Sequence, residues 1–289
     1  MSPILAETLH DGWTQSFEID GDMIVDRKSA FQHVQIFDNR LVGRVLVLDG
    51  IIQLTERDEA TYSEMLSHVP VCELGTVKRV MIVGGGDGAI AEELLKHKSI
   101  EQIDLVDIDG DVVDLCKKLL PNVHNGAFDD PRLTVHVADA FAFLEDENAA
   151  DRYDLIIADR PDPVGPAAVL FETRFYDLVN RALTAQGVAV FQTGVPLFQG
   201  QELTDTVRQH AEVFAENGTY LVVTPTYMGG FMALTWASKT AGVRLGDRTR
   251  HDEVAARFAQ GAIATEYYTP DLHFAAFDLP AFVQRLVDA

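Results

Sequence analysis

The sequence predicts an α/β fold, a mostly parallel, doubly wound sheet preceded by a small antiparallel β domain. Three observations predict it. From residue 78 onward, short apolar runs alternate with helix-like stretches. The first of those runs ends in a cluster of glycines, as strands do at the ligand edge of an open α/β sheet. Residues 15–55 have a different texture, with strand-like runs separated by turn-forming dipeptides.

In that first region, residues 17–25, 31–37 and 42–48 are rich in Val, Ile, Leu and Phe. Asp20-Gly21, Asp38-Asn39 and Asp49-Gly50 punctuate them, so they read as antiparallel strands. Residues 56–69 read as a helix, because acidic side chains fill its first turn and favour the helix dipole. Strands are expected at 79–83, 103–108, 133–137, 153–158, 187–192, 220–224 and 231–237. Helices are expected at 89–97, 111–119 and 203–216, with a helical wrap after about residue 245. Such alternation implies right-handed crossovers between parallel strands. The expected division is a β domain over 1–55 and a catalytic domain over 56–289.

Composition narrows the function. Across 289 residues, 47% are hydrophobic and 24% charged, which excludes a disordered or fibrous chain. No run of 18 apolar residues occurs, so no membrane span is expected, and residues 1–13 show no secretion signal. The two cysteines, Cys72 and Cys116, form no CxxC pair, which points to a reducing, cytoplasmic setting and to no metal site. There are 23 Lys and Arg against 45 Asp and Glu, a net charge of −22. That charge opposes nucleic acid and anionic lipid and suits a cationic ligand, although acidity also serves solubility.

The strongest local motif is Gly84-Gly85-Gly86-Asp87-Gly88 after an apolar strand and before a helix. Acids also close the next three strands: Asp107, Asp139 and Asp159. Each alone reads as a loop acid or helix cap. Together with the glycines they read as a nucleoside site, with Asp107 placed to accept ribose hydroxyls and Asp139 an adenine amino group. Asp87 lies inside the glycine loop, where it repels phosphate and the carboxylate of intact S-adenosylmethionine. Two like charges about 4 Å apart oppose each other by roughly 4 kcal/mol at an effective dielectric near 20. The loop therefore favours a nucleoside with a cationic arm, such as decarboxylated S-adenosylmethionine. Asp159-Arg160-Pro161-Asp162 adds two carboxylates able to hold an ammonium or take a proton, or else a rigid turn with surface acids.

These residues resemble the polyamine aminopropyltransferases, spermidine synthases in particular, and bacterial members most. The resemblance runs through most of the chain. It is carried by Gly43-Arg44-Val45-Leu46-Val47-Leu48-Asp49-Gly50, Thr55-Glu56-Arg57-Asp58-Glu59, Tyr62 with Glu64-Met65, the glycine loop, Asp162-Pro163-Val164-Gly165-Pro166 and Pro225-Thr226-Tyr227. It implies a seven-stranded Rossmann-like, methyltransferase-type sheet, no tightly bound cofactor, and a homodimer or homotetramer. By resemblance, decarboxylated S-adenosylmethionine as co-substrate would meet Gln53, Gly84, Gly85, Gly86, Asp87, Asp107, Asp139, Ala140 and Pro166. A diamine, putrescine first, would meet Trp13, Tyr62, Asp162, Gln192 and Tyr227. Asp159, helped by Tyr62, would accept the amine proton as the aminopropyl group moves and methylthioadenosine leaves.

Three positions depart from the family pattern. Ser63 stands where relatives carry His or Gln, Arg160-Pro161 where they carry Ser/Thr-like or Cys-Thr pairs, and Glu92 where many carry Arg. An arginine beside the acids is expected to oppose a diamine unless it points away. These departures keep other readings open: transfer to cadaverine, agmatine or spermidine, a methyltransferase on the same fold, or a non-catalytic sensor.

Overall fold

The computed structural model describes residues 3–161 and 169–289. Asp162 and Pro166 therefore lie outside the described residues. The chain opens with a hairpin of β1 (Ile4–His10) and β2 (Trp13–Glu18). An antiparallel four-stranded sheet follows: β3 (Val25–Lys28), β4 (His33–Asn39), β5 (Gly43–Leu48) and β6 (Ile51–Thr55). Asp49 and Gly50 both take positive φ, 50° and 82°, as a two-residue hairpin turn between β5 and β6 requires.

The expected strand over 17–25 does not form as one piece. It divides around the Asp20-Gly21 bend, and β1 was not anticipated at all. Only Leu5 and Glu7 of β1 are buried, and one of them is a carboxylate, so the strand carries no readable apolar alternation. The four-stranded sheet buries both faces. Val34, Ile36 and Leu46 pack against Ala89, Val112 and Cys116, while Phe37, Val45 and Val47 pack toward the hairpin.

Helix α1 (Glu59–Leu74) runs five residues beyond the expected end and continues through Pro70. All side chains from Tyr62 to Glu73 are buried, so no polar face marks where the helix stops. The alternating segment then gives β7 (Arg79–Gly84), α2 (Ala89–Leu95), β8 (Gln102–Asp107), α3 (Gly110–Leu119), α4 (Pro121–His124), β9 (Leu133–Val137) and α5 (Ala140–Glu145). Next come β10 (Tyr153–Asp159), α6 (Thr173–Ala182), β11 (Leu183–Gln192), α7 (Gly200–Val213), β12 (Glu216–Val223) and β13 (Phe231–Ser238). Three helices wrap the C-terminal end: α8 (His251–Gly261), α9 (Pro270–Ala275) and α10 (Ala281–Val287). Helix α7 lies three residues earlier than expected, and Glu216 begins a strand. The short helix α5 and the amphipathic α6 were not anticipated.

The seven strands lie in the order β12-β13-β11-β10-β7-β8-β9, and β13 alone runs antiparallel to its neighbours. Strand side chains alternate between two cores. Val80, Ile82, Leu155 and Ile157 face α1 and α2, while Met81, Val83, Ile156 and Ala158 face α5 and α6. The order reverses between β7 and β10, where an open α/β sheet leaves a crevice at its carboxyl edge. No helix among the described residues is long and apolar enough to cross a membrane.

Candidate active site

That crevice is a cleft of about 430 Å³ between the β7–β10 edge and the four-stranded sheet. Its floor exists because glycine occupies position 84. With φ of +78°, a Cβ there would stand 2.2 Å from the Asp159 carbonyl oxygen. At Gly86 a Cβ would meet Asp107 Oδ2 at 2.6 Å. The chain can thus pass close beneath a ligand only as glycine.

Each acid at the strand ends is oriented by nearby backbone. Asp87 Oδ1 accepts from Ala89 N at 2.8 Å, opening α2. Asp107 accepts from Gly86 N at 3.1 Å and from Asp109 N at 2.8 Å. Asp139 caps α5 by accepting from Phe141 N at 2.8 Å, and Ala140 follows it in the cleft wall. These are the turn and cap geometries that any loop acid adopts, but all three carboxylates also line the cleft. Burial holds Asp87 above the usual carboxylate range and lifts Asp107 to about 6. A dense set of partly desolvated acids shifted this way favours a cation that restores their charge.

A smaller pocket of about 60 Å³ adjoins the cleft and shares Gln53, Tyr62, Asp159 and Tyr227 with it. Tyr62 on α1 donates to Asp159 Oδ1 at 2.6 Å. Burial, then the nearby Asp87 charge, raises Asp159 to about 7, with the Tyr62 bond acting against them. The rings of Tyr62 and Tyr227 meet edge-on, 6.1 Å apart. Tyr227 donates to the Gln53 carbonyl at 2.7 Å, tying the 224–230 loop to β6. Asp58 sets this loop: it accepts from the Thr55 hydroxyl at 2.7 Å and from Thr226 N at 2.8 Å. Gln192, at the end of β11, lines the small pocket, and its Oε1 is buried without a hydrogen-bond partner among the described residues.

The structure therefore brings together Gln53, Tyr62, Gly84, Gly85, Gly86, Asp87, Asp107, Asp139, Ala140, Asp159, Gln192 and Tyr227 around one connected hollow. Trp13 is not among its lining residues. It is 48% exposed, with its ring set edge-on against Phe198 at 5.0 Å. Arg160 lines both hollows, and its guanidinium donates to the carbonyls of Gln192 and Leu170 rather than to the acids. Ser63 turns to Glu59, donating to its Oε2 at 2.8 Å, and Glu92 pairs with Lys96 at 3.1 Å.

The sequence reading missed Glu7 and Gln32, which line the small pocket and the cleft respectively. Glu7 sits on β1 and Gln32 in the turn before β4, and both reach the site only because the N-terminal sheets dock on it. The reading also missed the role of Glu59, a cleft-lining acid raised to about 8 by burial. Its place directly after Asp58 in an acidic helix start made it look like a dipole-complementing residue.

Two family models match in series. Residues 59–247 match the spermine/spermidine synthase domain, and residues 6–56 match the spermidine synthase tetramerisation domain. The chain belongs to the spermine/spermidine synthase family. A polyamine aminopropyltransferase from Ruegeria sp. is 46% identical over 97% of this chain and 96% of its own length. Polyamine aminopropyltransferase 1 from Pseudomonas aeruginosa is 44% identical over 97% and 96%. Among solved structures, a spermidine synthase in complex with the transition-state analogue AdoDATO superposes with a TM-score of 0.91 at 31% identity, covering 99% of this chain and 95% of that one. The spermidine synthase from Thermotoga maritima gives 0.89 at 31% identity, covering 99% and 94%. Like the family's named members, the chain is a transferase of the aminopropyltransferase type.

Proposed function

We propose that the chain moves the aminopropyl group of decarboxylated S-adenosylmethionine to a primary amine, with putrescine as the first choice of acceptor. The observation that carries this reading is the Asp87 carboxylate, set in the cleft between the nucleoside-facing acids and the Tyr62–Asp159 pair. It favours a cationic aminopropyl arm and opposes the carboxylate of the intact methyl donor. Asp107 would take the ribose hydroxyls, and Asp139-Ala140 the adenine edge.

The acceptor would lie in the smaller pocket. Its methylene chain would run between Tyr62 and Tyr227, whose faces also attract ammonium groups. Gln192 Oε1, unpartnered among the described residues, offers an acceptor, and the buried Glu7 carboxylate stands in the same pocket. A primary ammonium titrates near 10.4, so the amine arrives protonated and must lose a proton before it attacks. An ordinary aspartate is about six orders of magnitude weaker as a proton acceptor than that amine. Raised to about 7, Asp159 narrows the difference to roughly three. Tyr62 holds Oδ1, which leaves Oδ2 to take the proton. The nitrogen lone pair then attacks the carbon next to sulfur, the C–S bond breaks, and sulfur leaves as the neutral thioether methylthioadenosine. Because the sulfonium is already activated, in-line placement supplies much of the rate.

The assembly is proposed to be a homodimer or homotetramer, supported by the tetramerisation-domain match and by exposed Ile4, Trp13 and Leu41 near the N-terminus. Two buried free thiols support residence in the reducing cytoplasm. Incubation with decarboxylated S-adenosylmethionine and putrescine, cadaverine, agmatine or spermidine, with mass detection, tests the reading. Methylthioadenosine and spermidine are expected from the putrescine reaction. Release of no methylthioadenosine with any amine sinks the proposal, and a methylated product from intact S-adenosylmethionine would move the chain to the methyltransferases.

A further inference from the structure

Proton transfer and displacement leave one large buried cation without a role. Arg160 follows Asp159 at the end of β10 and is 2% exposed, yet no carboxylate pairs with it among the described residues. Among the described residues all its partners are neutral. Nε donates to the Gln192 carbonyl at 3.1 Å, and Nη1 donates to the Leu170 carbonyl and to the Tyr176 hydroxyl at 3.0 Å. The guanidinium lies over the Phe171 ring, 3.6 Å from its centroid, with the Tyr176 and Phe191 rings 5.4 Å away. Taking such a group out of water is costly, and among the described residues carbonyl dipoles, one hydroxyl and ring faces offset the cost.

The oxygens it binds belong to separate pieces of chain. Gln192 ends β11, Leu170 lies beyond residues 162–168, and Tyr176 belongs to α6. The two strand ends joined in this way carry Asp159 and Gln192, both of which line the small pocket. The donor-side acids share none of these bonds: Asp87 and Asp139 hang on their own backbone turns, and Asp107 on its own turn and the glycine loop.

We propose that Arg160 is a positioning residue for the acceptor half of the site: it ties the ends of β10 and β11 to Leu170 and α6, and so fixes where Asp159 and Gln192 meet the incoming amine. The inference rests on the aminopropyl-transfer reading and adds a residue that touches no reacting atom. A small misplacement of a proton acceptor against its nucleophile is enough to lose about two orders of magnitude in rate. Because the described partners are neutral and the tie is buried, it should be insensitive to salt, unlike an ion pair at the surface.

The test is Arg160→Met, which keeps an unbranched apolar stem but removes every donor. Amine kcat/KM is expected to fall by about tenfold or more, equally at low and high salt, because three neutral oxygens lose a charged donor. The donor KM and the calorimetric affinity for methylthioadenosine should stay within about twofold of the parent. Arg160→Lys, with charge but no fork, should recover only part of the loss. If Arg160→Met does not fold, Tyr176→Phe removes one of the hydrogen bonds and keeps the ring; about two- to fivefold should be lost in the amine parameter alone. Unchanged amine kinetics in a folded variant overturn the proposal. So do equal losses toward amine and methylthioadenosine, which mark a general structural defect. A parent that turns over no amine removes the functional reading and this inference together, whereas an active parent with an equally active Arg160→Met variant removes the inference alone.

Discussion

The two halves of the cleft are built in different ways. On the donor side, Asp87, Asp107 and Asp139 are oriented by amides within two residues, and Asp107 also by the neighbouring glycine loop. A ligand there meets groups whose positions are set as soon as β7, β8 and α5 form. On the acceptor side, the links join residues distant in the chain: Tyr62 with Asp159, Tyr227 with Gln53, Asp58 with Thr226 and Arg160 with Gln192. That half exists only once α1, the N-terminal sheets and the 224–230 loop have docked. The difference teaches where specificity can vary. Changing the donor side disturbs turns the fold itself needs, while the acceptor side can be retuned one long-range contact at a time.

The sharpest break of this comparison is Asp159→Asn. The amide keeps the shape and a contact with Tyr62 but cannot take a proton from an ammonium. Turnover with putrescine should fall by about 10²- to 10⁴-fold, while calorimetric binding of methylthioadenosine changes little. Loss of nucleoside binding to the same degree would show that the halves are not separable. Asp87→Asn asks the converse question. Removing one charge-assisted contact should raise the donor KM by about 10- to 100-fold. It should also narrow the preference for decarboxylated over intact S-adenosylmethionine, read by competition.

The contrast explains what the sequence disclosed. Asp87, Asp107 and Asp139 were legible because strand, glycine turn and acid follow one another in the chain, and turn geometry puts them at the sheet edge. The parallel sheet was legible because its strands are apolar on both faces. Glu7 and Gln32 were not, since nothing local marks a residue whose role depends on a docked sheet. The full reach of α1 was hidden because burial on all sides erases helical periodicity. Arg160 was visible as a departure, but its direction was not, because that depends on carbonyls 10 and 32 residues away.

A titration separates the halves by charge. Asp107, Asp159 and Glu59 are raised to about 6, 7 and 8, chiefly by burial. A carboxyl raised in the folded state binds protons more tightly there than in the unfolded chain. Its contribution to stability is fully present below about pH 4 and is lost as pH rises through 6 to 8. The melting temperature of the unliganded protein should therefore fall between pH 6 and pH 8.5, within the window of those raised groups. Putrescine, by restoring counter-charge, should reduce the fall. Amine kcat/KM should move the other way, rising about tenfold per pH unit below about 7 as Asp159 loses its proton. A flat rate profile across that range would take proton acceptance away from Asp159.

The smallest expected effect tests the long-range construction most directly. Tyr227→Phe keeps the ring against Tyr62 and removes only the hydroxyl that donates to the Gln53 carbonyl at 2.7 Å. One neutral hydrogen bond contributes about 1 kcal/mol, so a two- to fivefold change is expected. If the acceptor side is held by such ties, the change should fall on the amine KM, because the loop shifts relative to β6 while the aromatic wall survives. Donor binding through Asp87 and Asp107 should not respond. Gln53 complicates the outcome usefully, since it lines both hollows and its backbone is the partner that loses the bond. A response confined to the donor KM would mean that Gln53, rather than the aromatic wall, is what Tyr227 positions, and the boundary between the halves would then run through β6.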